Sequence, residues 1–399
     1  MIGDDHAVEL VARLRSVWPE PMPVSAGRYR VRGAGTSYIV LPSLRRPVLL
    51  VPAGDGTAAT AIRRVDEGQR AKVALQGLAW AQQRRLLRYL PLARVRIGDP
   101  DASEVVRAVR SAAPETRSMV VRLGQRRHGR TVVLQALAQD GRSLAFAKCA
   151  AGPRVAKLRQ EWARLVDVGE SPAPGVRAPR VLGFRDRDGT AVLILKALVP
   201  VRPAAGSGAP VAAMRALAGR AGAASSSLAG SRVVERLRSG IEALPDGGPG
   251  AWLRHELDRL LTELGDVVVP TGTWHGDWVG WNMARDGDTV LLWDWEHSEV
   301  GVPLGFDHVH HLAQNLRMHA GTSRDVEDQW LTAARLALRQ DWGMEGAAVE
   351  ATLRTYLVVI NLRYVEDRQG DPDGAPRRDG WARELLARLG GSQTAERTT

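Results

Sequence analysis

The sequence predicts an α+β protein in which strands dominate the first half of the chain and helices the second. Short β-rich segments lie within residues 29–51 and 119–197, and Asp140-Gly141 between two of them is typical of a β-hairpin. Beyond Pro200 the composition and periodicity favour helices. The chain has 399 residues, enough for two domains, and its 44% apolar and 25% charged content is that of a folded protein.

Residues 1–112 predict a small α+β extension of unknown role. A helix is expected over 6–17, strands over 29–32, 37–41 and 47–51, and further helices over 57–65, 70–87 and 103–111. Asp99-Pro100-Asp101 and Pro114 bracket the last helix. These punctuating residues place a domain boundary near residue 112.

The rest of the chain predicts two further parts. Strands over 119–123, 131–137 and 143–149, a helix over 154–168 and strands over 180–184 and 190–197 make an antiparallel sheet with one helix, which we assign to residues 113–200. Helices over 231–244, 251–264, 325–340, 347–363 and 381–389 fill most of residues 201–399.

Composition and termini exclude several classes of protein. The single cysteine, Cys149, permits no intramolecular disulfide and no cysteine-based zinc site, and we expect it to be a small buried apolar residue. No apolar run approaches the roughly 18 residues of a membrane-spanning helix. Residues 1–15 lack the basic start and apolar stretch of a signal peptide. We therefore expect a cytoplasmic protein without a membrane span.

The charge changes sign along the chain. Residues 1–204 hold 35 Lys and Arg against 17 Asp and Glu, a net +18, whereas residues 205–399 hold 20 against 27, a net −7. Arginine is abundant throughout, but abundance does not explain the change of sign. The basic half suits a polyanion and the acidic half suits a cation or metal. Nucleic acid is not an expected partner, because zinc-finger spacing and RNP-like aromatic strands are both missing.

One segment carries the chemistry. It has the pattern H-G-D-x4-N, followed by an apolar strand that ends in an acidic residue twelve positions after the asparagine, and it reads Trp274-His275-Gly276-Asp277-Trp278-Val279-Gly280-Trp281-Asn282 and then Thr289-Val290-Leu291-Leu292-Trp293-Asp294-Trp295-Glu296. The chain has only three asparagines, so a chance match to this pattern is rare.

Phosphoryl transfer gives each of these residue types a task. A carboxylate beside the acceptor hydroxyl orients it and takes its proton, and we assign this to Asp277. An amide oxygen and a second carboxylate hold Mg²⁺ against nucleotide phosphates, and we assign Asn282 and Asp294 to this task. The turn Asp286-Gly287-Asp288 allows these two metal ligands to meet across a hairpin. If the strand continues, Glu296 shares the face of Asp294 as a substrate or supporting carboxylate.

This segment resembles the aminoglycoside phosphotransferase and choline kinase-like group, which has a bilobal protein-kinase-like fold. In that group the catalytic loop is H-G-D-x4-N, so the resemblance implies that His275 and Asp277 are catalytic. The match continues through Pro303-Leu304-Gly305-Phe306-Asp307, and the resemblance implies that Asp307 supports the catalytic loop. His308 departs from the group, where leucine is common. The resemblance covers residues 119–320, with helical elements to about 390.

The resemblance also implies an upstream lysine and glutamate for the nucleotide. Lys148 is one of only four lysines and lies in an apolar strand, where an ammonium group is costly unless it is paired or meets an anion. We predict that Lys148 binds the α- and β-phosphates and pairs with Glu161 on the next helix.

The remaining nucleotide contacts are less sharply marked. The loop over residues 123–130 carries Gly124 and Gly129 as candidate phosphate contacts, although it lacks the full G-x-G-x-x-G pattern. The segment with Lys196 and Leu198 matches the group's hinge, where backbone groups hold the base of ATP or GTP.

The sequence leaves the acceptor open. Trp278 or Trp281 is a candidate for contact with substrate, although most tryptophans near the motif suit a core. We give His308, His310 and His311 no metal, since no carboxylate is suitably spaced among them. The expected function is Mg²⁺-assisted, ATP- or GTP-dependent phosphorylation of a small-molecule hydroxyl, on an aminoglycoside, amino sugar or related acceptor. The alternatives are a nucleotide-binding pseudokinase and a kinase acting on a sugar or a glycan-linked acceptor.

Overall fold

The computed structural model describes residues 5–19, 22–27, 31, 35–63, 69–123, 131–201, 208–222, 224–245, 247–320, 323–370 and 380–391. Its helices are α1 (Asp5–Leu14), α2 (Ala59–Arg63), α3 (Gln69–Gln83), α4 (Glu104–Ala112), α5 (Arg154–Glu170), α6 (Val211–Gly219), α7 (Arg232–Glu242), α8 (Gly248–Leu264), α9 (Phe306–Ala320), α10 (Arg324–Gln340), α11 (Ala347–Gly370) and α12 (Gly380–Gly391).

The strands confirm the predicted α+β class. They are β1 (Val24–Gly27), β2 (Thr36–Ser43), β3 (Arg46–Pro52), β4 (Arg94–Ile97), β5 (Ser118–Leu123), β6 (Val132–Leu137), β7 (Ser143–Ala151), β8 (Val176–Arg177), β9 (Val181–Arg187), β10 (Thr190–Lys196), β11 (Ala224–Ser227), β12 (Val268–Trp274), β13 (Met283–Asp286), β14 (Thr289–Leu292) and β15 (Glu299–Pro303). Single turns of 3-10 helix include Leu86–Tyr89, Gly280–Asn282 and Trp295–His297.

The chain divides into two compact units. Unit 1 comprises Met1–Ala163 and Pro179–Val199, and unit 2 comprises Arg164–Ala178 and Pro200–Thr399. Helix α5 therefore begins in unit 1 and ends in unit 2.

Unit 1 is built on one nine-stranded sheet. Its order is β1-β4-β2-β3-β5-β6-β7-β10-β9, and every neighbouring pair is antiparallel. Strand β3 pairs with β5 through Leu49↔Arg122 and Leu50↔Val121. The predicted extension of residues 1–112 and the predicted lobe of residues 113–200 therefore share one sheet, and the residue-112 boundary lies inside unit 1.

Apolar side chains cover both faces of this sheet. On one face, Leu14 of α1 and Val109 of α4 pack in the same core as Val121 and Ala147 of the sheet. On the other face, Ile62 of α2 joins a core that includes sheet residues of β2, β3, β5 and β6. In β2, β3, β5 and β6, successive buried side chains alternate between these two cores, as a strand period of two requires.

Unit 2 is mainly helical and holds the motif in two small sheets. One sheet has the order β11-β12-β15, and the other has the order β13-β14-β8, in which β14 pairs with β8 in parallel. The apolar stripes of α7 to α12 converge on one core that includes Leu257, Phe306, Trp330 and Tyr356. The helical character predicted for residues 201–399 is present in the part of this range that the structure describes.

Among the helices of the described residues, none combines the length and the apolar composition that crossing a membrane requires. Cys149 is fully buried on β7, and burial raises the pKa of its thiol to about 12. This environment agrees with the prediction of a small buried apolar residue rather than a reactive thiol.

Candidate active site

The loop that the sequence predicts to be catalytic begins where β12 ends. His275 is fully buried, and Gly276 has a φ of 87°, in the left-handed region that favours glycine. A Cβ at Gly276 would lie 2.3 Å from the backbone oxygen of His297, so no other residue fits without moving that backbone. Steric hindrance therefore explains why the motif has glycine at this position.

Asp307 at the start of α9 holds this turn in place. Its Oδ2 accepts a hydrogen bond from the His275 amide at 2.7 Å, and its Oδ1 accepts one from the Gly276 amide at 3.0 Å. Burial raises the pKa of the Asp307 carboxyl to about 7, although the two amide donors act in the opposite direction. The contact with the catalytic loop that the resemblance implies is present.

Arg363 of α11 binds the same turn from another direction. Its Nη1 donates to the Gly276 oxygen at 2.8 Å, and its guanidinium lies 5.2 Å from the ring centroid of Trp274. The turn is thus held by donors and acceptors from two helices, which fixes the backbone immediately before Asp277.

The Asp277 carboxylate accepts a hydrogen bond on each oxygen. Asn282 Nδ2 donates to Oδ2 at 2.7 Å, and His310 Nε2 lies 3.1 Å from Oδ1. Burial alone would raise the pKa of the Asp277 carboxyl, but the hydrogen bond from His310, with charge effects of His297 and Arg363, holds it below its ordinary value. Asp277 is therefore ionised at neutral pH.

His275 supports the loop as a neutral ring. The Asp277 amide donates to His275 Nδ1 at 3.2 Å, so this nitrogen is an acceptor. Burial lowers the pKa of His275 to about 4, although the charges of Asp277 and Asp294 both raise it. His275 therefore contacts the backbone of Asp277, and its assignment as a catalytic residue stays a prediction.

The two predicted metal ligands are connected by a hairpin. Strands β13 and β14 pair antiparallel. The backbone amide of Trp293, the residue before Asp294, donates to the backbone oxygen of Asn282 at 3.0 Å. Asn282 Nδ2 also donates to the Asp277 backbone oxygen at 3.1 Å. Because both partners of Nδ2 are acceptors, the amide orientation is fixed and Oδ1 faces away from Asp277 as a potential ligand.

Asp294 ends this hairpin in an unusual conformation. Its φ of 72° and ψ of 63° lie in the left-handed region, which aspartate tolerates better than most residues. The strand does not continue to Glu296, so the condition for Glu296 to share the face of Asp294 is not met: this turn leads directly into the 3-10 helix Trp295–His297. Glu296 lies 3.6 Å from His297 on that helix and does not share a strand face with Asp294.

The oxygen donors fit a hard divalent cation. An amide oxygen of Asn282 and the carboxylate of Asp294 are ligands that Mg²⁺ accepts, with water and phosphate oxygens completing its octahedron. Among the described residues, no group of three or more His, Cys, Asp or Glu side chains is arranged to hold a metal.

Unit 1 contains the predicted lysine pair. Lys148 Nζ lies 2.6 Å from Glu161 Oε1, and the side chain of Glu161 is only 2% exposed. On β7, Ala147 and Cys149 point into the core, so Lys148 points to the opposite face. The register places Lys148 between Val133 and Leu193, and Leu193 is opposite Phe184, which stacks on Trp162 of α5 at 4.6 Å. This packing of α5 on the sheet brings Glu161 to the lysine.

The structure describes only some of the other residues that are predicted to bind the nucleotide. Gly124 and Gly129 lie outside the described residues. The Lys196 amide already donates to the Arg180 oxygen at 2.8 Å, so it serves the sheet. Leu198 follows the end of β10, where the hinge is expected, and it keeps its assignment as a prediction.

The two candidate aromatic contacts differ in exposure. Trp278 is fully buried and its Nε1 lies 3.3 Å from Met283 Sδ, so the expectation that it contacts substrate is not supported. Trp281 is 43% exposed in the 3-10 turn that ends at Asn282. Of the two, only Trp281 presents a ring to a ligand.

Sequence reasoning missed three residues of this site. His310 forms a hydrogen bond with Asp277, and Tyr356 forms one with His310. Arg363 donates a hydrogen bond to the backbone oxygen of Gly276. The spacing of His310 three residues after Asp307 on one helix face is a signal that could have found it. Tyr356 and Arg363 give no comparable signal, because they lie far from the motif in sequence.

Some solved structures are similar to this chain. No protein-family model matches this chain, and no curated protein matches it. Among the solved structures, aminoglycoside phosphotransferase APH(3'')-Id from Streptomyces rimosus is 19% identical, with 64% of this chain and 96% of that chain covered and a TM-score of 0.41. A thermostable mutant of aminoglycoside phosphotransferase APH(4)-Ia is 16% identical, with 72% and 98% covered and a TM-score of 0.48.

A third match is the amicoumacin kinase hAmiN, solved with AMP-PNP, Ca²⁺ and Ami, at 11% identity, with 65% of this chain and 84% of that chain covered and a TM-score of 0.39. All three of these solved structures are of phosphotransferases or kinases. These identities are below 25% and the TM-scores are below 0.5, so the function of this chain is inferred from its own residues.

Proposed function

We propose that this protein transfers the γ-phosphoryl group of a nucleoside triphosphate to a hydroxyl group of a small molecule. The observation that carries the proposal is the arrangement of Asn282, whose Nδ2 holds the Asp277 carboxylate at 2.7 Å while its Oδ1 faces away. One side chain thereby links a candidate base to a candidate metal ligand, which is the coupling that phosphoryl transfer needs.

In this proposal Asp277 orients the acceptor hydroxyl. It is ionised at neutral pH and accepts hydrogen bonds from two fixed donors, so its remaining lone pairs point in a defined direction. A carboxylate of low pKa is a weak base, so its main contribution is alignment of the nucleophile, and it receives the hydroxyl proton as the new bond to phosphorus forms.

Asn282 and Asp294 would hold Mg²⁺, with ATP or GTP as the nucleotide. The ion would neutralise charge on the phosphate oxygens when bound. Lys148 is assigned to the α- and β-phosphates, and Glu161 keeps its ammonium group in one orientation through the 2.6 Å ion pair. Leu198 is assigned to the base of the nucleotide through its backbone.

The acceptor class follows from charge and exposure. Residues 205–399 carry a net −7, which favours a cationic acceptor such as an aminoglycoside or amino sugar. Trp281, next to Asn282 in sequence, offers a partly exposed ring that suits stacking against a sugar. A cytoplasmic location remains a prediction from the sequence.

The test measures the release of nucleoside diphosphate from Mg-ATP or Mg-GTP in the presence of a panel of candidate acceptors. The panel contains aminoglycosides, amino sugars, neutral sugars, choline and homoserine. We expect acceptor-dependent turnover that falls by about a thousandfold in Asp277→Asn. Asp288→Asn, at an exposed position of the β13–β14 turn, is the matched control and should keep full activity.

Two other outcomes would identify the alternatives. Nucleotide binding without turnover, equal in the wild type and Asp277→Asn, would favour a pseudokinase. Turnover restricted to neutral sugars or glycan-linked acceptors would retain the reaction and exclude the cationic acceptor.

A further inference from the structure

Helix α9 brings a second side chain to the catalytic loop. Asp307 lies in its first turn, and His310 lies one turn later on the same side. His310 is 2% exposed, so its ring is surrounded by protein rather than solvent. Its Nε2 lies 3.1 Å from Asp277 Oδ1, and its Nδ1 lies 3.0 Å from the Tyr356 hydroxyl oxygen.

The chemistry of the neighbours determines where the protons lie. An ionised carboxylate can only accept, so His310 Nε2 must carry a hydrogen and donate it to Asp277. Burial lowers the pKa of His310 against the opposing effect of Asp277, which favours the neutral ring, in which Nδ1 is an acceptor. Tyr356 then donates its hydroxyl hydrogen to Nδ1.

Both hydrogen bonds point toward the carboxylate. Each donor polarises the next, so the Tyr356 hydroxyl strengthens the donation from His310 to Asp277. Phe306 contacts the Tyr356 ring edge-on at 5.7 Å, and Trp330 lies at 6.0 Å, which leaves Tyr356 little freedom to turn away.

A carboxylate held at one oxygen can still rotate about its terminal torsion, which has a broad energy profile. Asn282 binds Oδ2, and His310 binds Oδ1 from a different helix. With a donor at each oxygen, rotation in either direction breaks one hydrogen bond. His310 therefore determines the plane of the Asp277 carboxylate and, with it, the direction of the lone pairs that remain.

We propose that His310, supported by Tyr356, is a positioning residue for Asp277 that sets the plane of its carboxylate for the acceptor hydroxyl. The inference rests on the proposed function, because it assigns Asp277 a hydroxyl to orient. No proton moves to His310 in this role, since Nε2 already carries one.

The test compares three substitutions that differ in reach. Gln at position 310 places an amide N–H near the position of Nε2, Asn is one methylene shorter and cannot reach Asp277, and Leu removes the donor. We expect kcat to fall by about ten- to a hundredfold in His310→Leu and His310→Asn, and by about threefold or less in His310→Gln. The KM for the nucleotide should stay within about twofold in all three.

His255→Gln is the matched control, because this histidine is exposed on α8. It should leave kcat unchanged. Should His310→Leu fail to fold, the pair His310→Asn and His310→Gln still decides the question, since both are polar and differ in reach. Equal activity of these two variants, or a His310→Leu variant above half the wild-type kcat, would overturn the proposal.

A second measurement does not need turnover. Imidazole ¹⁵N spectra of histidine-labelled protein, with the His310 signals assigned by their loss in His310→Gln, should show a neutral ring protonated at Nε2. In Asp277→Leu that tautomer preference should weaken. A charged His310, or one protonated at Nδ1, would overturn the inferred hydrogen bonding even if the enzyme is active.

These two readouts separate the possible failures. A wild-type protein without turnover on any acceptor would overturn the proposed function and, with it, the positioning role. The tautomer spectrum would then still report whether the His310–Asp277 hydrogen bond was inferred correctly. Turnover in the wild type with no discrimination between Gln and Asn at position 310 would overturn the positioning role alone.

Discussion

The two units hold their central charged groups by different means. In unit 1, Lys148 forms an ion pair with the Glu161 carboxylate at 2.6 Å. In unit 2, Asp277 is held by two neutral side-chain donors, Asn282 and His310. An ion pair neutralises its members, whereas neutral donors orient a carboxylate and leave its net charge in place. The difference predicts that charge deletion destabilises unit 1 most, whereas loss of hydrogen-bond geometry affects unit 2 most.

The largest expected effect comes from breaking the ion pair of unit 1. Lys148→Met leaves the 2%-exposed Glu161 without its cation, which should lower the unfolding free energy by about 3–5 kcal/mol. Nucleotide affinity should also fall, by about a hundredfold if Lys148 binds phosphate. Denaturant unfolding and nucleotide titration measure the two effects.

The double substitution Lys148→Met with Glu161→Leu separates these effects. It should recover most of the lost stability, because no buried charge remains, but none of the nucleotide affinity. Arg159→Met is a matched control, since its pair with Asp186 is more exposed and should be worth about 1 kcal/mol or less. A double variant that regains nucleotide affinity would exclude Lys148 as a phosphate ligand.

Asp307 gives the next effect, through pH. Burial raises its folded-state pKa from 3.8 to about 7, so the folded protein binds more protons than the unfolded chain between these values. Its contribution to stability is fully present below about pH 4 and is lost as the pH rises through 7. His275 acts oppositely, because its pKa falls from 6.5 to about 4 and its contribution is lost as the pH falls through that range.

Asp307→Asn isolates the first of these two contributions. The stability difference, wild type minus variant, should shrink by about 1–4 kcal/mol as the pH rises from 4 to 8. Urea unfolding at matched pH values measures this difference. A difference that is constant with pH would mean that Asp307 is ionised throughout and that its amide donors outweigh its burial.

Trp281 gives a smaller effect that concerns only the acceptor. Trp281→Ala should raise the KM for a sugar-containing acceptor by about three- to tenfold, because a stacking surface is lost, with little change for the nucleotide. Leu336→Ala on α10 is an exposed control with no expected effect on either KM. Equal changes in both KM values would indicate that Trp281 supports the loop instead.

Cys149 should give the smallest effect. Burial on β7 raises the pKa of its thiol to about 12, so a thiol reagent at pH 8 should not modify the folded protein. Modification should occur at the rate of unfolding, as measured in denaturant. Rapid labelling of the native protein would show that the sheet around Lys148 opens locally.

The parts of the site that the sequence predicted share one property, which is short separation along the chain. Lys148 and Glu161 lie on consecutive elements, and a strand–turn–helix order is enough to bring them together. Asn282 and Trp293, the residue before Asp294, are hydrogen-bonded at the end of a two-strand hairpin whose turn residues are visible in the sequence. The boundary of α10, expected at residue 325 and found at Arg324, follows from a strong amphipathic period.

The parts that were missed depend on tertiary packing. Strand β11 has the sequence Ala-Ser-Ser-Ser and forms because β12 offers it a partner, which no local pattern reveals. The His310–Tyr356 contact joins two helices across 46 residues, so it depends on how α9 and α11 pack. Similarly, the turn at Asp294 follows from a backbone conformation that its side chain permits but does not require.

The most direct test of the central claim is transfer of labelled γ-phosphoryl from ATP or GTP to an acceptor, by the wild type and by Asp277→Asn with nucleotide binding measured alongside. We expect a phosphorylated acceptor from the wild type, a roughly thousandfold lower rate from the variant, and similar nucleotide affinity in both. Transfer at equal rates by the two proteins would contradict the assignment of Asp277, and absence of any phosphorylated acceptor would contradict the proposed reaction.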